Sequence, residues 1–121
     1  MNKNQRAIIA AIVMAKNQAK KVDTTYSYEE NTYLSFSGFV SEKRIEAYDY
    51  SRGCYVSGNA TGGNKYSLYD YGTSSYIELE IKSNNFTGYD YNSGSFYSGE
   101  IQTSSVSLYD YQTGSYYNFS N

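Results

Sequence analysis

The sequence contains no histidine, no proline and no tryptophan, and it has a single cysteine among its 121 residues. Without histidine, the chain has no side chain whose ordinary pKa lies near neutral pH, and no Ser-His or Cys-His nucleophile pair can form. The one cysteine, Cys54, excludes an internal disulfide bond and a cysteine-based zinc site. We therefore predict that the protein is not an enzyme and that it uses no cofactor.

Tyrosine is abundant instead, with 17 copies, and most of the remaining sequence is Ser, Thr, Asn and Gly. This composition favours strands joined by tight turns, because Tyr packs well on a pleated surface while Gly and Asn accept a positive φ. The same composition occurs in disordered, prion-like segments. Only the pattern of residues along the chain can decide between the two.

Charge is distributed unevenly along the chain. Residues 1–22 contain five basic and no acidic residues, whereas residues 23–121 contain 5 basic and 12 acidic residues, a net charge of −7. Nucleic-acid binding requires a basic surface to meet the phosphates. We therefore expect no nucleic-acid partner.

The N-terminal segment predicts one helix, from Gln5 to Ala19, which is rich in Ala and has a broad apolar face. Its apolar run, Ala7–Ala15, is too short to span a bilayer. Basic residues follow the run directly and no clear signal-peptide cleavage site is present, which favours a cytoplasmic or membrane-associated protein over a secreted one. We expect an amphipathic helix that packs on the body. The alternatives are contact with a membrane surface through residues 3–21 and a weak secretion signal.

The length of this helix allows one more arrangement. At about 22 Å it matches the height of a six-residue strand, roughly 20 Å. Insertion into the centre of a small barrel, as a plug, therefore fits geometrically.

A repeat of about twenty residues organises the rest of the chain. The triplet Tyr-Asp-Tyr occurs four times, and a degenerate copy, Tyr-Ser-Tyr, precedes them at residues 26–28. The four triplets are residues 48–50, 69–71, 89–91 and 109–111. Simple low complexity would not hold this period, so the pattern indicates a repeat fold.

Each triplet is followed by a turn signal and a further aromatic residue. Three residues after the second Tyr of each unit stand residues suited to a left-handed turn, namely Asn31, Gly53, Ser74, Gly94 and Gly114. Ser74 is the exception, with a glycine displaced to Gly72, so we expect that turn to be built differently. Two positions further on, every unit has an aromatic residue. The unit therefore predicts a β-hairpin.

Alternation along the strands divides each hairpin into two faces. Ile45, Ala47 and Asp49 share one side, while Tyr48 and Tyr50 share the other, and later units repeat this phase. Hairpins that share one core need their edges protected, which favours closure. We predict an all-β fold of four clear hairpins and one degenerate hairpin, closed into a shallow flower-like barrel, with one N-terminal α-helix. The helix occupies residues 1–22 and the hairpin domain residues 23–121.

At the triplets and the glycines that follow, the chain resembles the β-flower families, in which Tyr-Asp-turn-Gly hairpins radiate around a small barrel. The matching stretches are residues 48–53, 89–94 and 109–114. The resemblance implies a fold more than an activity, because these families largely lack an assigned function. A weaker similarity, at Tyr97-Ser98-Gly99-Glu100, links the chain to membrane occupation and recognition nexus repeats.

Two sets of residues are candidate sites. The aspartates Asp49, Asp70, Asp90 and Asp110 would form a ring if the hairpins are arranged radially, and carboxylate rings hold hard cations. Turn-capping by each aspartate is the favoured interpretation. The triplet tyrosines offer flat rings with polar tips, suited to a protein, glycan or lipid, although tyrosine ladders also stabilise sheets. These tyrosines are Tyr48, Tyr50, Tyr69, Tyr71, Tyr89, Tyr91, Tyr109 and Tyr111.

These observations favour a non-catalytic hairpin-repeat module with a binding or structural role. The alternative is a lipid- or membrane-associated protein that uses the apolar barrel centre and the basic helix.

Overall fold

The computed structural model describes residues 1–121 and contains one helix and eleven strands. The helix α1 spans Lys3–Gln18. The strands are β1 (Thr25–Ser27), β2 (Thr32–Leu34), β3 (Phe36–Val40), β4 (Arg44–Asp49), β5 (Cys54–Gly62), β6 (Lys65–Asp70), β7 (Ser75–Lys82), β8 (Asn85–Asp90), β9 (Ser95–Ile101), β10 (Ser105–Asp110) and β11 (Ser115–Ser120). The predicted hairpin fold with a single N-terminal helix is confirmed.

All eleven strands belong to one antiparallel sheet in the order β2-β1-β11-β10-β9-β8-β7-β6-β5-β4-β3. Only Ser35 separates β2 from β3, so the chain steps from one end of this order to the other within a single residue. The Tyr50 amide donates to the Ser35 carbonyl, and the Val22 amide donates to the Gly38 carbonyl. These contacts bring the two edges together into a nearly closed barrel, which leaves little free strand edge.

Five of the hairpins turn at the same end of the barrel, one in each repeat unit, and β3 is an additional strand outside the repeat. The degenerate unit forms a true hairpin from β1 and β2. In this unit Ser27 takes the place of the aspartate, is buried, and its Oγ accepts a hydrogen bond from the Glu30 amide at 3.3 Å. A small polar acceptor at this position is therefore sufficient for the turn.

The helix lies inside the barrel, where every residue from Asn4 to Ala15 is buried. It contacts strands on both sides of the barrel seam, including β3, β4, β10 and β1. The expectation that the helix packs on the body is wrong, and the alternative arrangement as a plug is the one observed, because the barrel surrounds the helix. Barrels of this strand number are wide enough to enclose a helix, and four alanines keep this one narrow. The chain has no helix that is long and apolar enough to cross a membrane.

The residues that face the barrel interior are those that the alternation in the sequence predicted to share one face. Asp49, Asp70, Asp90 and Asp110 are in phase with the buried apolar residues of their strands, and all four are at most 1% exposed. Glycines relieve crowding on this face: a Cβ on Gly99 would lie 2.3 Å from the ring of Phe86, and one on Gly88 would lie 2.2 Å from the ring of Tyr97. Large rings thus fill the space that glycines leave open.

The five repeat turns share one backbone conformation. Asn31, Gly53, Ser74, Gly94 and Gly114 all have φ between 53° and 69°. The expectation of a different third turn is wrong, because Ser74 adopts the left-handed conformation without a glycine. Glycine is required at position 72 for a different reason, because a Cβ there would lie 2.7 Å from Arg52 Nη1 and 2.9 Å from Cys54 Sγ. That glycine makes room for the side chain of a neighbouring turn.

Candidate functional site

The outer face of the barrel carries five copies of one aromatic arrangement. In each unit the two aromatic residues of the triplet and the aromatic residue after the turn form a triad, with the first ring contacting the other two. Ring centroids lie 4.7–5.0 Å apart and the ring planes meet at 61–88°, an edge-to-face geometry. The triads are Tyr26/Tyr28/Tyr33, Tyr48/Tyr50/Tyr55, Tyr69/Tyr71/Tyr76, Tyr89/Tyr91/Phe96 and Tyr109/Tyr111/Tyr116.

The three rings of a triad differ in exposure. The first ring is half-buried and lies over its own turn, with the hydroxyl of Tyr48 3.9 Å from the position of a Cβ on Gly53. In the corresponding turn of the first unit, the Tyr26 hydroxyl donates a hydrogen bond to Asn31 Oδ1 at 2.5 Å. The second and third rings are 49–69% exposed in every unit. The first ring therefore supports the turn, and the other two face solvent.

Four surface grooves lie beside consecutive triads, and we name each by the strands of its floor. The β5–β6 groove (about 390 Å³) adjoins Tyr69, Tyr71 and Tyr76. The β7–β8 groove (about 360 Å³) adjoins Tyr89 and Phe96. The β9–β10 groove (about 470 Å³) adjoins the triad of Tyr109. The β10–β11 groove (about 300 Å³) adjoins Tyr28.

Small and polar residues line part of each groove floor. Ser98, Gly99 and Ser107 line the β9–β10 groove, and Ser57, Gly58 and Ser67 line the β5–β6 groove. Carboxylates line three of the four grooves, with Glu78 and Glu80 in the β7–β8 groove and Glu100 in both the β9–β10 and the β10–β11 grooves. Cations line two, with Lys65 in the β7–β8 groove and Arg44 in the β5–β6 groove. Each groove therefore combines exposed aromatic rings with hydroxyl groups.

The four aspartates cap their own turns. Asp49 Oδ1 accepts from the amides of Ser51 and Arg52 at 3.0 and 3.2 Å. The same contact joins Asp70 to the Gly72 amide at 2.8 Å and Asp110 to the Gln112 amide at 3.0 Å. Asp90 accepts from the amides of Asn92 and Ser93. The structure thus shows the turn role that was favoured for these residues.

The remaining aspartate oxygens face cations and the N-terminal end of the helix. Arg52 bridges two turns, with Nε 2.6 Å from Asp49 Oδ2 and Nη1 3.0 Å from Asp70 Oδ2. Asp110 Oδ2 lies 3.1 Å from the Met1 amino group and 3.3 Å from Arg6 Nη1. These contacts compensate buried carboxylates, and the helix dipole adds positive charge at the same end. They account for the direction of the helix in the barrel.

Gln5 adds a neutral contact to this cluster, donating from Nε2 to Asp70 Oδ2 at 3.0 Å. Arg6 also stacks over the ring of Tyr117, with 3.8 Å between its guanidinium carbon and the ring centroid. The structure holds no group of three or more His, Cys, Asp or Glu side chains placed to bind a metal ion. The metal-site hypothesis therefore gains no geometric support.

The electrostatics of Arg52 follow from its two carboxylate partners. Burial alone would lower the pKa of Arg52, but the hydrogen bond to Asp49 and the charge of Asp70 outweigh burial and raise it. Arg52 Nη2 is buried and has no hydrogen-bond partner. Burial also raises the pKa of the nearby Cys54 thiol, against the lowering effect of Arg52. The thiol is thus kept protonated at neutral pH, which makes it a weak nucleophile.

Sequence reasoning missed two kinds of residue in this region. Arg52, Arg6 and Gln5 were not recognised as partners of the aspartates, because nothing in their local sequence points to a distant turn. The third aromatic of each triad was recognised as a repeat feature but was not counted among the candidate binding residues. Its regular spacing after the turn was the available signal.

Comparisons with protein-family models, with curated proteins and with solved structures found no match to this chain. The resemblance to the β-flower families therefore stays a prediction.

Proposed function

We propose that this chain is a non-catalytic binding module and that its tyrosine triads form the contact surface for a ligand. One observation carries the proposal: the same three-ring arrangement recurs five times, each time with two rings 49–69% exposed. Exposed aromatic side chains are enriched at binding surfaces, since they offer a large contact area with little loss of conformational entropy.

The non-catalytic part of the proposal is supported by the state of the acidic residues. The four repeat aspartates are buried and engaged by turn amides, and Arg52, Arg6 and the Met1 amino group neutralise them further. A carboxylate that acts as a general base needs access to the proton it removes. These aspartates lack that access because the barrel covers them.

The position of the helix favours the outer surface of the barrel as the place where a ligand binds. Asn4 to Ala15 fill the interior, so the barrel centre is occupied by the chain itself. The grooves described above are instead open to solvent and lie along the triads. The alternative of an acyl chain held in the barrel centre therefore has no observation in its favour.

The competing interpretation is that the triads only stabilise the sheet. Edge-to-face pairs are worth about 0.5–1.5 kcal/mol each, so the rings do contribute to stability. However, the first ring makes both contacts of each triad, and the outer two rings leave most of their surface in water. Stabilisation alone does not require ten exposed rings of this kind.

The proposal is tested with three single variants, Tyr71→Ala, Tyr91→Ala and Tyr111→Ala, and with Phe39→Ala as a control. Phe39 is an exposed aromatic residue outside the triads. We expect the wild-type protein to bind one of three immobilised probes, namely polysaccharides, phospholipid vesicles or a random peptide library. The triad variants should bind more weakly while remaining folded by circular dichroism, and Phe39→Ala should bind normally. Binding that all the triad variants retain, or no binding by the wild type, would overturn the proposal.

A further inference from the structure

The four grooves present two kinds of chemistry side by side. Each has at least one exposed aromatic ring along one side, and three of the four floors carry Ser or Thr hydroxyls close to a glycine. A sugar ring matches both, because its C–H groups form an apolar face while its hydroxyls exchange hydrogen bonds with polar side chains. A lipid tail or an apolar peptide would leave the floor hydroxyls without partners.

The charged residues of the hairpin domain indicate which class of sugar the grooves suit. Apart from the four buried aspartates and Arg52, which pairs with two of them, the hairpin domain, residues 23–121, has eight acidic and four basic residues. Arg44 lines the β5–β6 groove, and Lys65 lines the β7–β8 groove beside Glu78 and Glu80. Glu100 lines both the β9–β10 and the β10–β11 grooves, which contain no cation, and its carboxylate forms no ion pair with another side chain. Carboxylates accept strong hydrogen bonds from hydroxyls and repel anions. The β9–β10 and β10–β11 grooves therefore suit a neutral, polyhydroxylated ligand better than an acidic one.

Repetition indicates a polymer instead of a single sugar. The four grooves follow one another around the barrel in the order β5–β6, β7–β8, β9–β10 and β10–β11. The first three floors lie two strands apart, about 10 Å along the sheet, a distance that one disaccharide unit of an extended chain spans. Linked weak sites bind a polymer far more tightly than each site binds alone.

We infer that the triad grooves bind a neutral polysaccharide, with successive disaccharide units lying against successive triads. This inference rests on the proposed function and names the ligand class of the same surface. Phe96 replaces tyrosine in the triad of the β7–β8 groove, so the ring and not the hydroxyl is the common element. Tyrosine hydroxyls in the outer positions should therefore be largely dispensable for binding.

The inference is tested by affinity electrophoresis of the full chain in native gels. The gels contain a neutral polysaccharide (amylopectin, galactomannan or hydroxyethyl cellulose) or the anionic polysaccharide alginate, and vesicles of phosphatidylcholine and phosphatidylglycerol are tested by sedimentation. The variants are the triple Tyr71→Ala/Tyr91→Ala/Tyr111→Ala, the corresponding Tyr→Phe triple, and Phe39→Ala. Each single alanine variant is included so that the test stands if the triple alanine variant does not fold.

We expect at least one neutral polysaccharide to retard the wild-type protein. Each single alanine variant should lose several-fold in affinity and the triple variant at least about tenfold, as expected for aromatic residues that a ligand covers on binding. The phenylalanine triple and Phe39→Ala should stay within about twofold of the wild type. Triad-dependent binding to alginate or vesicles alone would overturn the neutral-polysaccharide inference and leave the proposed function standing. No triad-dependent binding to any of these probes would overturn the inference, and the same result with the random peptide library would overturn the proposed function as well.

Discussion

Arg52 Nη1 lies 3.0 Å from Asp70 Oδ2 and so connects the turn of one hairpin to the turn of the next. The same guanidinium donates from Nε to Asp49 in its own turn. Both carboxylates are fully buried, whereas the arginine side chain is 16% exposed. One cation therefore compensates two buried charges and fixes the spacing of two neighbouring hairpins.

Replacing this arginine should be among the most damaging changes on the turn side of the barrel. We expect Arg52→Ala to lower the free energy of unfolding by about 3–5 kcal/mol, because it leaves two buried carboxylates without their cation. Urea denaturation followed by circular dichroism measures this loss. The control is Arg44→Ala, which removes a solvent-exposed pair with Glu46 and should cost about 0–1 kcal/mol. Equal losses in the two variants would contradict the role assigned to Arg52.

Ser74 offers a change that should stabilise the protein. Its φ is 56°, a left-handed conformation that glycine adopts without strain and that Gly53 and Gly114 occupy in equivalent turns. We expect Ser74→Gly to raise the free energy of unfolding by about 1 kcal/mol. The reciprocal variant Gly53→Ser should lower it by a similar amount. Thermal denaturation of both proteins checks the sign, and a destabilised Ser74→Gly would show that the serine contributes more than its backbone strain costs.

The interior position of the helix predicts a strong response to truncation of its side chains. Ile9 is fully buried, so we expect Ile9→Ala to lower the free energy of unfolding by about 2–5 kcal/mol. Asn17→Ala, at an exposed position of the same helix, should change it by less than about 0.5 kcal/mol. Chemical denaturation distinguishes the two. If Ile9→Ala left the free energy of unfolding nearly unchanged, the helix would not lie inside the barrel in solution.

Tyr97 should make the protein sensitive to alkaline pH. Burial, followed by the charges of Asp90 and Glu78, raises the pKa of Tyr97 well above its ordinary value of 10.0. The folded state therefore keeps the phenol protonated while the unfolded state loses the proton above pH 10. The stability contributed by this group is fully present below that pH and falls as the pH rises further, by about 1.4 kcal/mol per pH unit.

The Tyr97→Phe variant tests this dependence. At neutral pH we expect a loss of about 0.5–1.5 kcal/mol, since the hydroxyl donates to the Glu78 carbonyl at 2.9 Å. Between pH 10 and pH 11.5 its free energy of unfolding should fall less steeply than that of the wild type. Urea denaturation across this range measures both slopes, with the exposed-site variant Tyr76→Phe as the control. Identical slopes for wild type and Tyr97→Phe would contradict the assignment.

Much of the hairpin architecture could be predicted from local sequence. The period of the Tyr-Asp-Tyr triplets located the hairpins, and the alternation of residues such as Ile45, Ala47 and Asp49 located the inner face. These features are readable because a strand places successive side chains on opposite faces and a left-handed turn restricts residue choice. The third turn was mispredicted because Ser74 accepts a conformation that its residue type disfavours.

The sequence by itself therefore determined the hairpins, their phase and the exposed rings, all of which depend on residues close together in the chain. Only the tertiary structure decided that the helix lies inside the barrel and that Arg52, Gln5 and Arg6 meet the aspartates of several turns. Those contacts join residues as many as 104 positions apart. They arise when closure of the barrel encloses the helix and brings buried charges together, and buried charges require partners that local patterns do not specify.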